Sequence, residues 1–275
     1  MSELVLNTSA LWVREELKPW VHATIGMLAL LLLCLIAGQF DGRTLYDVSV
    51  WTKPAKFALS LAVYFATLVW FAHYIDRGFF EQKAGRTLVW LPVICAWFEM
   101  IYIIYQASLG EPSHFNTGTP FHATMYALMG VGAVTLVSVL VWYGYVIVRR
   151  NTLMNAQMNH MVLALVLGLG LSFVLGGGFG GYLSSSGGHW VNAPATDAGG
   201  SLLFGWAHQG GDLRVAHFFG MHAMQALPLF ACTLSSKWSE HTKIACVVAF
   251  AAAYSAFTVM TFVQAVSGQP FGSGL

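Results

Sequence analysis

The sequence predicts an all-α integral membrane protein, a single bundle of about seven transmembrane helices. Three observations predict it. Of 275 residues, 57% are hydrophobic and only 9% are charged, whereas soluble domains carry about 25% charge. Apolar runs recur that reach the length of about 20 residues needed to cross a bilayer. The connections between them are mostly short, so successive helices pack as neighbours. The net charge of +1 points away from nucleic acid as a partner and leaves the lipid bilayer as the first one.

Taken in order, residues 1–20 form an N-terminal segment. It holds Glu3, Glu15 and Glu16 and lacks the basic start of a secretory signal, so the first apolar run reads as a retained helix. Within it, Ala10–Lys18 places Leu11 and Trp12 beside Arg14, Glu15 and Lys18, a pattern suited to the membrane interface or to a plain tail. The membrane domain covers 21–266, with spans at 21–39, 56–75, 87–107, 121–148, 158–183, 214–235 and 243–266. A long outer loop, 184–213, precedes the sixth span, and 267–275 form a C-terminal tail. The loop is rich in Ser and Gly, but Trp190, Phe204 and Trp206 favour its folding back over the outer face. The four cysteines lie in apolar segments without a C-x-x-C pair and read as packing residues.

Orientation follows Lys and Arg. Arg14, Lys18, Arg77, Lys83, Arg86, Arg149, Arg150, Lys237 and Lys243 fall on one side of this threading, and Arg43, Lys53, Lys56 and Arg214 on the other. The N-terminus is therefore expected in the cytoplasm and the C-terminus outside, in a cell membrane of the bacterial cytoplasmic type. Trp20, Trp90 and Trp238 mark inner boundaries and Trp51 an outer one. Lys53 and Lys56 flank Pro54, which suits the first turn of the second span. With Arg43 and Arg214 they form a candidate binding set for an anionic ligand or for cofactor carboxylates; ordinary snorkelling is the plainer reading of any single lysine. No clear internal repeat shows. Asp41-Gly42-Arg43 before the second span echoes Asp212-Leu213-Arg214 before the sixth, a match short enough to arise by chance.

The polar residues inside the spans carry the functional reading. Glu99 is the one carboxylate well within a span, and ionisable groups there mark function or inter-helix hydrogen bonds. At about 1.5 Å per residue, Glu99 and His222 fall at one depth, roughly 12 Å below the outer boundary, and His122 and His217 at a shallower one. Glu99 with His222 is the expected proton-handling, catalytic pair, and His122 with His217 the expected metal-ligating pair. His217 and His222 sit about 140° apart around one helix, so a straight helix cannot turn both onto one small ion. Gln225, one turn beyond His222, can join its network. Pro228 removes a helical hydrogen bond and favours a kink. The many glycines of the fifth span favour close helix approach or room for a flat ligand. On the inner side, His22, His73 and His160 form a second set without a clean pair, and His241 lies in a loop.

Several classes are set aside. The retinal-binding class needs a lysine deep in a span, and Lys243 lies at a span's start. Neither a G-x-S-x-G elbow nor a P-loop is present. Neither H-x-x-x-H nor H-E-x-x-H occurs, which counts against the simplest zinc-dependent hydrolase. Inverted repeats of the transporter kind do not show. Three readings remain. The first is a redox or metal-dependent protein, most simply with b-type haem, in which His122 and His217 are axial ligands; a transition metal is the other cofactor it admits. The second is a small-anion transporter or receptor with a basic outer vestibule and a Glu99–His222 proton-coupling pair. The third is an accessory subunit of a membrane complex. Whether the protein is an enzyme stays open.

Overall fold

The computed structural model describes residues 12, 14–153, 158–201 and 204–273. The described residues are mostly helical, and seven helices among them are long and apolar enough to cross a membrane. A short 3-10 turn, Glu15–Leu17, leads into α1, Lys18–Phe40. Then follow α2, Thr52–Phe71; the five-residue α3, Arg77–Glu81; α4, Lys83–Leu109; and α5, Pro120–Leu153. The fifth span is α6, His160–Leu171, continued through a π-helical turn, Ser172–Gly177, into α7, Gly178–Ser185. The last two spans are α8, Arg214–Thr233, and α9, Glu240–Val266. Each predicted span is present with ends shifted by a few residues, as fraying and capping allow.

Local chemistry accounts for the boundaries. Asn159 caps α6 by accepting from the Val162 amide at 2.9 Å, and Ser239 caps α9 by accepting from Thr242 at 3.2 Å. Each satisfies an amide that a helix start leaves without a partner. Gly110 ends α4 in the left-handed conformation, φ 74°, where a Cβ is disfavoured. Between α1 and α2, β1, Thr44–Leu45, pairs antiparallel with β2, Val48–Ser49. Tyr46 and Asp47 both have positive φ, 55° and 62°, the backbone a two-residue hairpin turn of the primed type requires.

The sequence predicts one bundle; the packing divides into two compact units, Met1–Val139 and Leu140–Leu275. In the first, α1 and α2 lie against each other along their lengths and α4 touches both. Its core includes Trp20, Phe65, Leu68, Phe71, Leu88, Met100 and Ile103. Trp20, expected at an interface, is fully buried and donates from Nε1 to the Val89 carbonyl at 2.9 Å. It is an anchor between α1 and α4, because an indole with its N–H satisfied is a large apolar filler. Trp90 and Trp238 are exposed, as a boundary position requires. Of the stretch Ala10–Lys18, residues 10, 11 and 13 lie outside the described residues. Glu16 in the described part binds both Arg14 and Arg77, at 2.7 and 3.0 Å.

In the second unit, α6 and its π-turn pack closely on α8, and α9 packs on both. Glycine permits the approach. A Cβ on Gly168 would lie 2.9 Å from the Ala223 carbonyl, and one on Gly220 2.6 Å from the Gly176 amide. Small residues are the usual means of close packing between membrane helices. The long loop after α7 folds onto its own unit: β3, Trp190–Val191, pairs with β4, Gly211–Asp212. Trp206 is buried, stacked on Phe204 with centroids 4.4 Å apart and packed on Phe218, Phe219 and Phe271. The outward faces of the spans carry exposed Leu32, Leu33, Ile94, Ile101, Val131 and Val263. Water would penalise such extended apolar surface; lipid does not, so these helices contact the bilayer.

Candidate functional site

In the first unit Glu99 is 5% exposed, and its Oε1 has no hydrogen-bond partner among the described residues. Gly132 on α5 makes room for it: a Cβ there would stand 3.0 Å from Oε1. Two further buried polar atoms share this condition, Tyr102 Oη and Gln106 Oε1. Residues 99, 102 and 106 are spaced three and four apart, so they stack on one face of α4 over about 10 Å. At the C-terminal end of the line, the Gln106 amide donates to the Pro112 carbonyl at 3.2 Å and to Glu111 at 3.4 Å.

The loop after α4 brings in residues that the sequence did not single out. His114 bonds Ser113 Oγ at 3.1 Å and packs on Phe57 and Tyr126, with ring centroids 5.4 and 6.0 Å apart. Burial holds its imidazole well below the usual histidine range, and the charge of Lys53 pushes the same way. Lys53 Nζ stands 5.9 Å from the Phe57 ring centre, so Lys53, Phe57 and His114 form one cluster. His122, the expected metal ligand of this unit, turns Nε2 towards Glu111 at 3.4 Å. The spacing of histidines in apolar sequence flagged His122; His114 sits in a loop, and only the fold shows that it packs among aromatic rings.

The two arginines of the expected vestibule are both engaged by carboxylates. Arg43 donates to Asp41 from Nε at 2.9 Å and from Nη2 at 2.7 Å, and Nη1 reaches the Ser108 carbonyl at 2.9 Å. Those hydrogen bonds, with another from Trp51 Nε1, hold the Asp41 carboxyl well below its usual range. Arg214 grips Asp212 from Nε and Nη2 at 2.9 and 2.6 Å, and Asp197 at 2.8 Å. Burial pushes Asp197 up, but the His189 hydrogen bond and the Arg214 charge outweigh it and its carboxyl titrates low. His189, 3.1 Å from Asp197, is itself held low by burial. Both guanidiniums thus have carboxylate partners within their own unit, which weakens the reading of Arg43 and Arg214 as anion binders.

The histidines of α8 belong to the second unit. His217 Nδ1 lies 2.9 Å from the Gly176 carbonyl. A carbonyl only accepts, so Nδ1 carries a proton, and in the neutral ring Nε2 keeps its lone pair. The π-turn presents that carbonyl, and Gly180 clears the ring, since a Cβ there would stand 2.8 Å from it. The fifth span's glycines therefore serve helix packing at 168 and 176 and the imidazole at 180. His222 Nδ1 faces Gln225 Oε1 at 3.2 Å, the contact that their spacing predicts. Ser172 Oγ donates to the Met221 carbonyl and accepts from the Met224 amide, both at 2.9 Å. The helix runs on through Pro228 to Thr233.

Of the second histidine set, His160 pairs with Glu240 at 2.7 Å within the second unit, and His22 of the first unit is exposed. Among the described residues, no three His, Cys, Asp or Glu side chains gather as a metal-binding group. What the site offers is a line of buried polar atoms in the first unit and a histidine with a fixed tautomer in the second. No family model matches the chain, and neither does any curated protein or solved structure.

Proposed function

We propose that this multi-pass protein is a carrier for a small anionic solute, working in a bacterial-type cytoplasmic membrane with its N-terminus in the cytoplasm, and that it exchanges a proton at Glu99. The supporting observation is the row of Glu99 Oε1, Tyr102 Oη and Gln106 Oε1, all buried and without a hydrogen-bond partner among the described residues. Buried polar atoms are almost always paired, and each one left alone costs about 1–3 kcal/mol. Three on one helix face suit a polar visitor, solute or water, passing along α4. Lys53 and Lys56 at the start of α2 supply the positive charge that favours an anion.

The test is uptake into liposomes under an imposed pH gradient, with acetate, lactate and inorganic phosphate as probes. At least one should enter, and Glu99→Gln should slow its entry at least tenfold. The reading fails if none of the three enters and none raises the melting temperature, because a ligand that binds only the folded state must stabilise it.

One observation favours the haem reading as a second. His217 has Nδ1 bound to a backbone carbonyl, as metal-binding histidines do, so its Nε2 would be the atom to hold a haem iron. A haem there would supply one-electron chemistry, while the chain's part is to orient His217. His122 suits the role less well, because its Nε2 faces Glu111. A Soret band in the purified protein, lost in His217→Ala, supports this reading; absence of both the band and iron removes it.

A further inference from the structure

The echo between Asp41-Gly42-Arg43 and Asp212-Leu213-Arg214 extends far beyond three residues once the two units are laid side by side. Both motifs form the same chelate. In the first unit the Arg43 amide and Nε bond Asp41 Oδ1 at 3.1 and 2.9 Å, and Nη2 bonds Oδ2 at 2.7 Å. In the second, the Arg214 amide and Nε bond Asp212 Oδ1 at 3.0 and 2.9 Å, and Nη2 bonds Oδ2 at 2.6 Å.

The third helix of each unit ends in a matching cap. Gln106-Ala107-Ser108-Leu109-Gly110-Glu111-Pro112 closes α4, and Gln264-Ala265-Val266-Ser267-Gly268-Gln269-Pro270 closes α9. Gly110 and Gly268 have φ of 74° and 73°. The Gly110 amide bonds the Ala107 carbonyl and Glu111 bonds Gln106, at 3.0 and 2.9 Å; Gly268 bonds Ala265 and Gln269 bonds Gln264, at 3.0 and 3.1 Å. Each glutamine amide then donates to a carbonyl beyond its own cap, Gln106 to Pro112 and Gln264 to Ser273. Corner and cap also touch in both units. Arg43 reaches Ser108, and Gly211 lies so close to the Ala265 carbonyl that a Cβ has no room there.

The helices agree as well. The second helix has 20 residues in both units, α2 and α8. The third has 27 in both, α4 and α9. Lys53-Pro54-Ala55-Lys56-Phe57 opens α2 and Arg214-Val215-Ala216-His217-Phe218 opens α8. The hairpin of β1 and β2 separates corner from helix in the first unit, whereas Arg214 serves both in the second. The order helix, Asp-x-Arg corner, helix, helix, Gln-Ala cap therefore occurs twice.

We infer that the chain is a tandem duplication of a three-helix repeat, with α5 as the single span that joins the copies. Three spans and one joining span return the chain to its starting side, so both copies thread the membrane in the same direction. Repeats threaded in this way are one of the architectures of secondary carriers, and this is the repeat that the sequence alone did not reveal. The copies have diverged in chemistry. Phe257 and Met260 stand where Glu99 and Tyr102 stand, counted back from the cap glutamine, so the buried polar line belongs to the first copy. His217 stands where Lys56 stands, so the fixed imidazole belongs to the second. The duplication goes beyond the solute reading and does not depend on it.

Hydrogen–deuterium exchange on the full chain in nanodiscs tests the shared corner and cap. Asp41→Asn should speed exchange at Gly110 and Glu111 at least fivefold, and Asp212→Asn should do the same at Gly268 and Gln269. Arg43→Lys and Arg214→Lys keep the charge but lose the fork, and they give the same readout if an Asn variant folds poorly. Acceleration in one unit only, or in neither, overturns the equivalence. Threading is read separately with single cysteines in a cysteine-free chain. Gly42→Cys and Ala198→Cys should react with an impermeant thiol reagent from one side, and Gly78→Cys and Ser236→Cys from the other. Gly42→Cys and Ala198→Cys reacting from opposite sides overturns parallel copies. Neither result bears on solute uptake, so the two readings fail independently.

Discussion

His217 Nδ1 donates to the carbonyl of Gly176, 2.9 Å away, across the contact between α8 and the π-turn. One hydrogen bond thereby sets the tautomer of a membrane histidine and uses a carbonyl that the wider turn presents. Gly180 completes the arrangement by leaving space for the ring.

Gly180→Ala should displace His217. The added Cβ meets the imidazole at 2.8 Å, while Gly178 has nothing within 4 Å. Overpacking of this kind costs about 1–3 kcal/mol. Gly180→Ala should lower the melting temperature in detergent, and Gly178→Ala should leave it near the parent value.

Gly220→Ala should be worse. Its Cβ would stand 2.6 Å from the Gly176 amide and 2.8 Å from the Gly176 Cα, and backbone cannot swing aside as a side chain can. Thermal unfolding should show a larger loss than for Gly180→Ala, with α6 and α8 separating first in exchange measurements.

Ser172→Ala should destabilise the second unit by about 1–3 kcal/mol, the cost of buried polar groups left without a partner. The hydroxyl serves both the Met221 carbonyl and the Met224 amide. Ser172→Thr keeps the hydroxyl and should recover much of the loss in the same melting assay.

His114 should make the first unit acid-sensitive. Its folded pKa is held below the ordinary 6.5 by burial and by Lys53. The unfolded chain therefore binds the proton more readily, and stability falls as pH drops below 6.5 towards the folded value. Above 6.5 both states are neutral and the contribution is flat. His114→Gln should flatten the melting temperature between pH 6.5 and the acid limit of the assay.

Gly132→Ala should act on Glu99. The new Cβ would press on Oε1 at 3.0 Å, tight enough to shift the carboxyl. In the uptake assay it should slow entry less than Glu99→Gln does, with little change in melting temperature.

The fold class and the position of every span were legible in the sequence, because bilayer thickness and hydropathy alone decide where a helix crosses. Glu99 stood out as well, since a carboxylate in an apolar run demands a reason whatever surrounds it. The contact of Gln225 with His222 followed from helix periodicity. Tertiary structure decided the rest. Arg43 and Arg214 read as cations available to an anion, yet each is held by an aspartate two residues earlier, and only backbone geometry shows that side chains so near in sequence close into a chelate. His114 looked like a loop residue until the fold packed it against Phe57 and Tyr126. In letters the duplication left only short echoes, because few identical residues remain; it shows in equal helix lengths, equal glycine conformations and equal hydrogen bonds, which evolution keeps after side chains change. Composition and periodicity thus determined what solvent each helix meets. Which polar atoms meet one another depends on contacts between residues distant in sequence, and only the folded chain could supply those.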